Sequence, residues 1–262
     1  MINSYTDNGY VYCRNFLNGN EFTPLRNVIE KFHQSWKQEN AEFYATRAIN
    51  SAYLTGRKHL EEIDRTTLFQ FIGSAKLMEI VTGIMGDGAS FMNTQLFFDP
   101  VNATQKNYWH RDSQYDFSLA EQQQALHGPN AMHFRIPLVD EPGLELVPGT
   151  HKRWDSTEEL DVRLERNGHR NHEPLASGVT IPLNAGDLLA FSANMIHRGI
   201  YGMGRLSLDI LFCDPVPELL RYADASCLPD EKTLCTLEKP GAFLQAIELK
   251  NGCRGSSTPQ WG

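Results

Sequence analysis

The sequence predicts a mainly β fold, an antiparallel sandwich or barrel decorated by N-terminal helices, and two patterns predict it. In the first third of the chain, apolar residues recur at helical spacing. Beyond residue 89 they gather into short runs, FMNTQLFF, AMHFRIPLV, LELV, VTIPL, DLLAF and RLSLDILF, separated by Gly, Pro and Asn. Many short strands with turn signals between them mark a sandwich or barrel. A chain of 262 residues suits one such unit. It is read as a single domain over 1–262, with a helical part to about 88, a β core to about 215 and a C-terminal extension after it.

Residues 10–17, rich in aromatic and β-branched types, read as a short strand, after which Asn20 is expected to cap a helix of about 20 residues from Glu21. From Thr66 to Met85 the apolar positions Leu68, Phe71, Ile72, Ala75, Met78, Val81 and Met85 predict one helix, stopped by Gly86, Asp87 and Gly88. The charged stretch 152–174 reads as a surface excursion between strands. A covering helix is expected near Ala242–Leu249.

A net charge of -8 argues against a nucleic-acid partner, which selects a basic patch. No apolar run approaches the roughly 20 residues needed to span a bilayer, and the N-terminus lacks a signal-peptide pattern. The expected location is the cytoplasm. Cys13, Cys213, Cys227, Cys235 and Cys253 are scattered without a CxxC pair, as thiols in a reducing compartment would be.

In YWHRDSQY, His110 and Asp112 stand two apart, which on a strand places both on one face with Arg111 on the other. An imidazole and a carboxylate so placed suit ferrous iron, which takes a second His on the same octahedral face and keeps three positions open. Taken alone the pair is a weak signal, more often explained by a surface or satisfied core role. His197, at the end of the strand that follows Gly186 and Asp187, is the candidate third ligand. In RLSLDILF, Arg205, Ser207 and Asp209 share a face, and a guanidinium inside a strand needs a partner. That partner is either the distal carboxylate of a bound 2-oxoglutarate, with Ser207 adding a hydrogen bond, or an internal acid such as Asp209 or Asp187.

The ordered set His110-x-Asp112, Leu146-Val-Pro-Gly-Thr-His151, Gly186 with Asp187, His197 and Arg205-x-Ser207 resembles the phytanoyl-CoA dioxygenase family, and the likeness spans roughly residues 8–213. The resemblance implies a double-stranded β-helix, or jelly roll, holding Fe(II) by His110, Asp112 and His197. It also implies 2-oxoglutarate as co-substrate, chelating iron and anchored by Arg205 and Ser207, and O2 as oxidant. By the same similarity Gln95 is expected to touch 2-oxoglutarate. Related halogenases lack the ligand carboxylate, so Asp112 points to hydroxylation of a small molecule.

Gln114 and Tyr115 are candidate substrate contacts, with packing at the barrel mouth as the alternative, and His133 and Arg135, alternating on one strand, are candidates to line the pocket. His127, His133, His151, His169 and His172 are rival metal candidates that lack a carboxylate at the same spacing. Two other functions stay open on the sequence: a cupin-like metal enzyme that does not use 2-oxoglutarate, and a non-catalytic small-molecule-binding barrel. The oligomeric state is not legible.

Overall fold

Alternation along the β segments sorts side chains to two faces, and the computed structural model, which describes residues 2–255, shows what each face meets. The strands among the described residues are β1 (Tyr10–Cys13), β2 (Asn50–Ala52), β3 (Ser90–Phe98), β4 (Ala131–Pro137), β5 (Glu141–Leu146), β6 (Val179–Leu183), β7 (Leu188–Ser192), β8 (His197–Gly199) and β9 (Leu206–Cys213). They form a six-stranded sheet in the order β1, β7, β4, β9, β3, β2 and a three-stranded sheet in the order β6, β5, β8. Every pairing is antiparallel, and together the sheets make a jelly roll. Helices hold 38% of the residues against 21% for strands, so "mainly β" describes the core rather than the whole chain.

On one face of the large sheet, Met132, Phe134 and Ile136 of β4, Leu188 and Ala190 of β7, and Leu208, Ile210 and Phe212 of β9 pack in one core with the helices. Those helices contribute Leu25, Ile29 and Phe32 from Gly19–Glu39, Leu68, Phe69 and Ile72 from Glu62–Ile72, and Leu77 and Val81 from Ala75–Met85. The opposite face of β7, Leu189 and Phe191, meets Leu144, Leu146, Ile181 and Leu183 of the small sheet in a second cluster. Strands β4 and β9 turn His133, Arg135, Ser207 and Asp209 away from the helix-packed core. The expected covering helix runs Gly241–Gly255, with Phe243 against Phe91 of β3.

Three expectations change. The Gly19–Glu39 helix is capped by Asn18, not Asn20: the Asn18 side chain accepts from the Glu21 amide while the Glu21 carboxylate accepts from the Asn18 amide. The helix read over Thr66–Met85 is two, broken at Gly73 and Ser74, where the Ser74 hydroxyl caps the second. The excursion 152–174 is not wholly superficial, because its helix Thr157–Arg163 buries Glu159, Val162 and Arg163. No single helix among the described residues is long and apolar enough to cross a membrane. The two short helices that reach that length together are bent by 47° and pack on the core. Cys213, Cys227 and Cys235 are free thiols, and the side chain of Cys253 lies outside the described residues.

Where β5 is irregular, Gly143 adopts φ +84°, and a Cβ there would lie 1.9 Å from the Ile181 carbonyl oxygen. Gly143→Ala is expected to lower stability by about 2–5 kcal/mol, from backbone strain plus a clash with a neighbouring strand. Urea unfolding followed by circular dichroism measures it, and a loss below half a kilocalorie would show that the strands part freely.

Candidate active site

His110 and His197, 87 residues apart in sequence, are joined by a reciprocal backbone pair: His110 N donates to His197 O at 3.0 Å and His197 N to His110 O at 2.9 Å. This bridge extends the edge of β8 and sets the two imidazoles side by side, ring centroids 4.2 Å apart. The residues flanking His110 are pinned elsewhere. Trp109 is buried and donates its indole N–H to Glu173 O. Arg111 is fully buried with its guanidinium on Asp155 and on the Thr150, Arg153 and Asn194 carbonyls. With Arg111 held on the far side, His110 and Asp112 have to face the site. The expected strand ends here, however, because Asp112 opens a 3-10 turn, Asp112–Tyr115, rather than continuing an extended segment.

Asp112 Oδ1 stands 3.6 Å from His110 Nε2 and 3.5 Å from His197 Nε2. All three ligand atoms lie within 4.8 Å of one another, a set that could hold one ion. Donors at about 2.1 Å from a shared ion sit about 3 Å apart when adjacent, so small side-chain adjustments bring these onto a metal. Each ring is oriented by its other nitrogen: His110 Nδ1 meets Tyr108 O at 3.1 Å and His197 Nδ1 meets Met195 O at 2.9 Å. That contact puts the proton on Nδ1 and leaves Nε2 with a lone pair for the ion. Burial pushes both imidazoles down, His197 to about 3, so they stay neutral at pH 7. Burial alone would raise the Asp112 carboxyl, but the charge and hydrogen bond of His133, then His197 and His110, hold it well below the usual range.

Beside this triad a cavity of about 480 Å³ opens, lined by Gln95, Phe97, Tyr115, His133, Arg135 and Arg205 among others. His133 lies between two acids, Nε2 2.6 Å from Asp112 Oδ2 and Nδ1 3.1 Å from Asp209 Oδ2. Burial works against its charge, yet Asp209 and Asp112 raise it to about 9. Asp209 also accepts from Arg135 Nη2 at 2.6 Å. Gly199, lacking a Cβ, leaves room for the Arg205 guanidinium, which would stand 2.3 Å from one.

The Arg205 guanidinium meets neither of the acids weighed for it; it faces Glu141, Nε to Oε2 at 3.7 Å. Five buried polar atoms without a hydrogen-bond partner cluster here: Arg205 Nε and Nη2, Arg135 Nε, Glu141 Oε1 and Asp209 Oδ1. Native interiors leave few such atoms. Burial, then the charge of Arg135, pushes Arg205 down to about 10. An anion on Arg205 would accept from its Nε and Nη2 and offset the charge of Arg135, and a dicarboxylate chelating at the triad would have its second carboxylate to offer. Two imidazoles, a carboxylate and a starved guanidinium therefore fit iron with 2-oxoglutarate.

Two expected contacts are corrected. Ser207 does not line the cavity; its hydroxyl donates to Glu141 Oε2 at 2.6 Å, because β5 brings that acid across from the small sheet. Gln114 does not line it either, since its carbonyl accepts from Arg163 Nη1 at 2.8 Å beneath the 3-10 turn. Tyr115 lines the mouth with its hydroxyl 2.7 Å from that of Tyr108. Among the rival histidines, His127, His151, His169 and His172 line no part of the cavity. The sequence reading missed Glu141 and the Asp209 link between His133 and Arg135. The signal was there: His133 and Arg135 alternate with Met132, Phe134 and Ile136, so polar groups face inward on a buried strand.

A jelly roll that converges two histidines and an aspartate beside a buried arginine defines the non-haem iron and 2-oxoglutarate oxygenases. The phytanoyl-CoA dioxygenase family profile matches residues 5–200, and the chain belongs to that family. No curated protein matches the sequence. Similar solved structures include AviO1 from Streptomyces viridochromogenes Tue57, 19% identical, covering 82% of this chain and 94% of that one with a TM-score of 0.59. EctD from S. alaskensis, crystallised with 2-oxoglutarate and 5-hydroxyectoine, is 13% identical, with 86% and 84% covered and a TM-score of 0.60. A nickel complex of the non-haem monooxygenase ThoJ is 16% identical, with 98% and 99% covered and a TM-score of 0.57.

Proposed function

We propose that this oxygenase hydroxylates an unactivated C–H bond of an uncharged, largely apolar small molecule, releasing succinate and CO2, in the cytoplasm. The supporting observation is the pairing, in one cavity, of an intact carboxylate ligand, Asp112, with Arg205, whose buried Nε and Nη2 lack hydrogen-bond partners. Iron with 2-oxoglutarate supplies the oxidising power that activates dioxygen, which no side chain can. His110, Asp112 and His197 would hold the ion, three protein donors being few enough to admit co-substrate and oxygen as well. Arg205 orients the distal carboxylate, and Gln95, opposite Asp209 on β3 and lining the same cavity, offers an amide to the same molecule. Because Asp112 fills its ligand position, no place opens there for a halide.

The substrate class follows from charges already spoken for. His110, Asp112, His133, Arg135, His197 and Arg205 belong to the metal and anion end of the cavity. The remaining acid of the lining, Asp116, accepts from the Tyr222 hydroxyl and faces Arg221 at 3.6 Å. Around it the mouth is Tyr108, Tyr115, Phe117, Tyr201, Leu219 and Tyr222. Rings with hydroxyl tips suit an apolar body carrying a few hydrogen-bonding groups. Among the described residues no further cation in the lining awaits the phosphates of a CoA ester.

The test is succinate formation from 2-oxoglutarate by the Fe(II)-loaded protein in air, across a metabolite library. Neutral apolar compounds are expected to raise turnover above the uncoupled rate and to gain a hydroxyl. Stimulation confined to acyl-CoA esters would overturn the substrate class, and a chlorinated product the reaction type.

A further inference from the structure

The two oxygens of Asp112 have different partners. Oδ1 faces His110 and His197, at 3.6 and 3.5 Å, while Oδ2 lies 2.6 Å from His133 Nε2. We propose that His133 is a positioning residue, which captures Oδ2 so that Asp112 offers the metal one oxygen and not two.

His133 is built to hold that place. It stands on β4, between β7 and β9, and its ring lies flat on Phe191, centroids 4.6 Å apart and planes 7° apart. Its far nitrogen is tied to Asp209 Oδ2 at 3.1 Å, and Asp209 is tied to Arg135 at 2.6 Å. The imidazole is thus fixed at its face and at both nitrogens. Asp112 lacks such support of its own: it begins a single 3-10 turn, with its amide on Ala193 O. Rotation of its carboxylate is restrained by His133.

Coordination number makes this matter. A facial set of three donors leaves three positions, two for a chelating keto acid and one for dioxygen. A carboxylate that chelated through both oxygens would take one of them. By holding Oδ2, His133 keeps a position open, and through Asp209 it links the metal ligand to Arg135 in the cavity wall. The inference rests on the metal-site reading but not on 2-oxoglutarate or any substrate.

Co(II) alone serves as the probe. His133→Phe keeps a flat ring on Phe191 and removes both N–H groups, and it is expected to bind Co(II) about 10–100-fold more weakly, the usual loss for a group that orients a ligand. His133→Gln, with an amide to offer Oδ2, is expected to recover part of that loss. In wild-type protein with carbon-13 aspartate, the metal-bound minus metal-free infrared difference, absent in Asp112→Asn, is expected to show the wide carboxylate splitting of single-oxygen ligation. This measurement needs no folded His133 variant. Narrow splitting in the wild type, or unchanged Co(II) affinity in a folded His133→Phe, would overturn the inference. So would X-ray absorption showing that His133→Phe loses a nitrogen ligand, since His133 would then bind the ion itself. If the wild type takes up no stoichiometric Co(II) or Fe(II), the metal-site reading itself fails, a different result from a misplaced role for His133.

Discussion

Asp112→Ala is expected to abolish iron-dependent turnover of 2-oxoglutarate, by a factor on the order of a thousand or more, because it removes a donor and not merely a group that orients one. The remaining imidazoles, His110 and His197, keep their backbone bridge and their Nδ1 contacts, so the fold should survive. His133 loses one of its two acids and keeps Asp209. Equilibrium binding of Fe(II) under nitrogen, beside thermal unfolding of the same sample, separates loss of the site from loss of the fold. A folded Asp112→Ala protein that binds iron as tightly as the wild type would refute the assignment of the triad.

Arg205→Ala should raise the KM for 2-oxoglutarate by about 10²–10³ while leaving metal affinity within a fewfold. The magnitude follows from two charge-assisted hydrogen bonds at about 1.5–3 kcal/mol each, less the overlap between them. Arg205→Lys should recover little, since an ammonium lacks the planar fork that meets a carboxylate with two parallel donors. Removing Arg205 also takes one partner from the buried Glu141 and leaves it the Ser207 hydroxyl, so thermal unfolding should accompany the kinetics. Binding of 2-oxoglutarate to the Co(II)-loaded variant gives the direct measure. Unchanged co-substrate binding would favour a metal-dependent barrel that works without it.

How far the site could be read from the chain depended on whether the relevant partner was local. His110 and Asp112 announced themselves by spacing, and His197 by its place after Asp187 and before Arg205. The geometry that unites them differs from the expected strand, because Arg111 is anchored across the chain on Asp155, 44 residues on. Ser207 and Gln114 went astray for a related reason. Each has the right polarity and a plausible face, but each is claimed by a residue from another segment, Glu141 for one and Arg163 for the other. A sequence shows which groups need partners without showing which partner the second sheet will bring. The helices repeat the lesson locally: the apolar period ran unbroken through Gly73 and Ser74, while the helix did not.

The paired amides and carbonyls of His110 and His197 have a consequence for assembly. Two of the three donors meet only after a loop of more than eighty residues has closed, so an unfolded chain offers no comparable binding pocket. An ion that prefers the closed form stabilises it in proportion to the logarithm of its free concentration. The metal would then act as a clasp as well as a reagent, and starvation for iron would loosen the small sheet's edge along with silencing the chemistry.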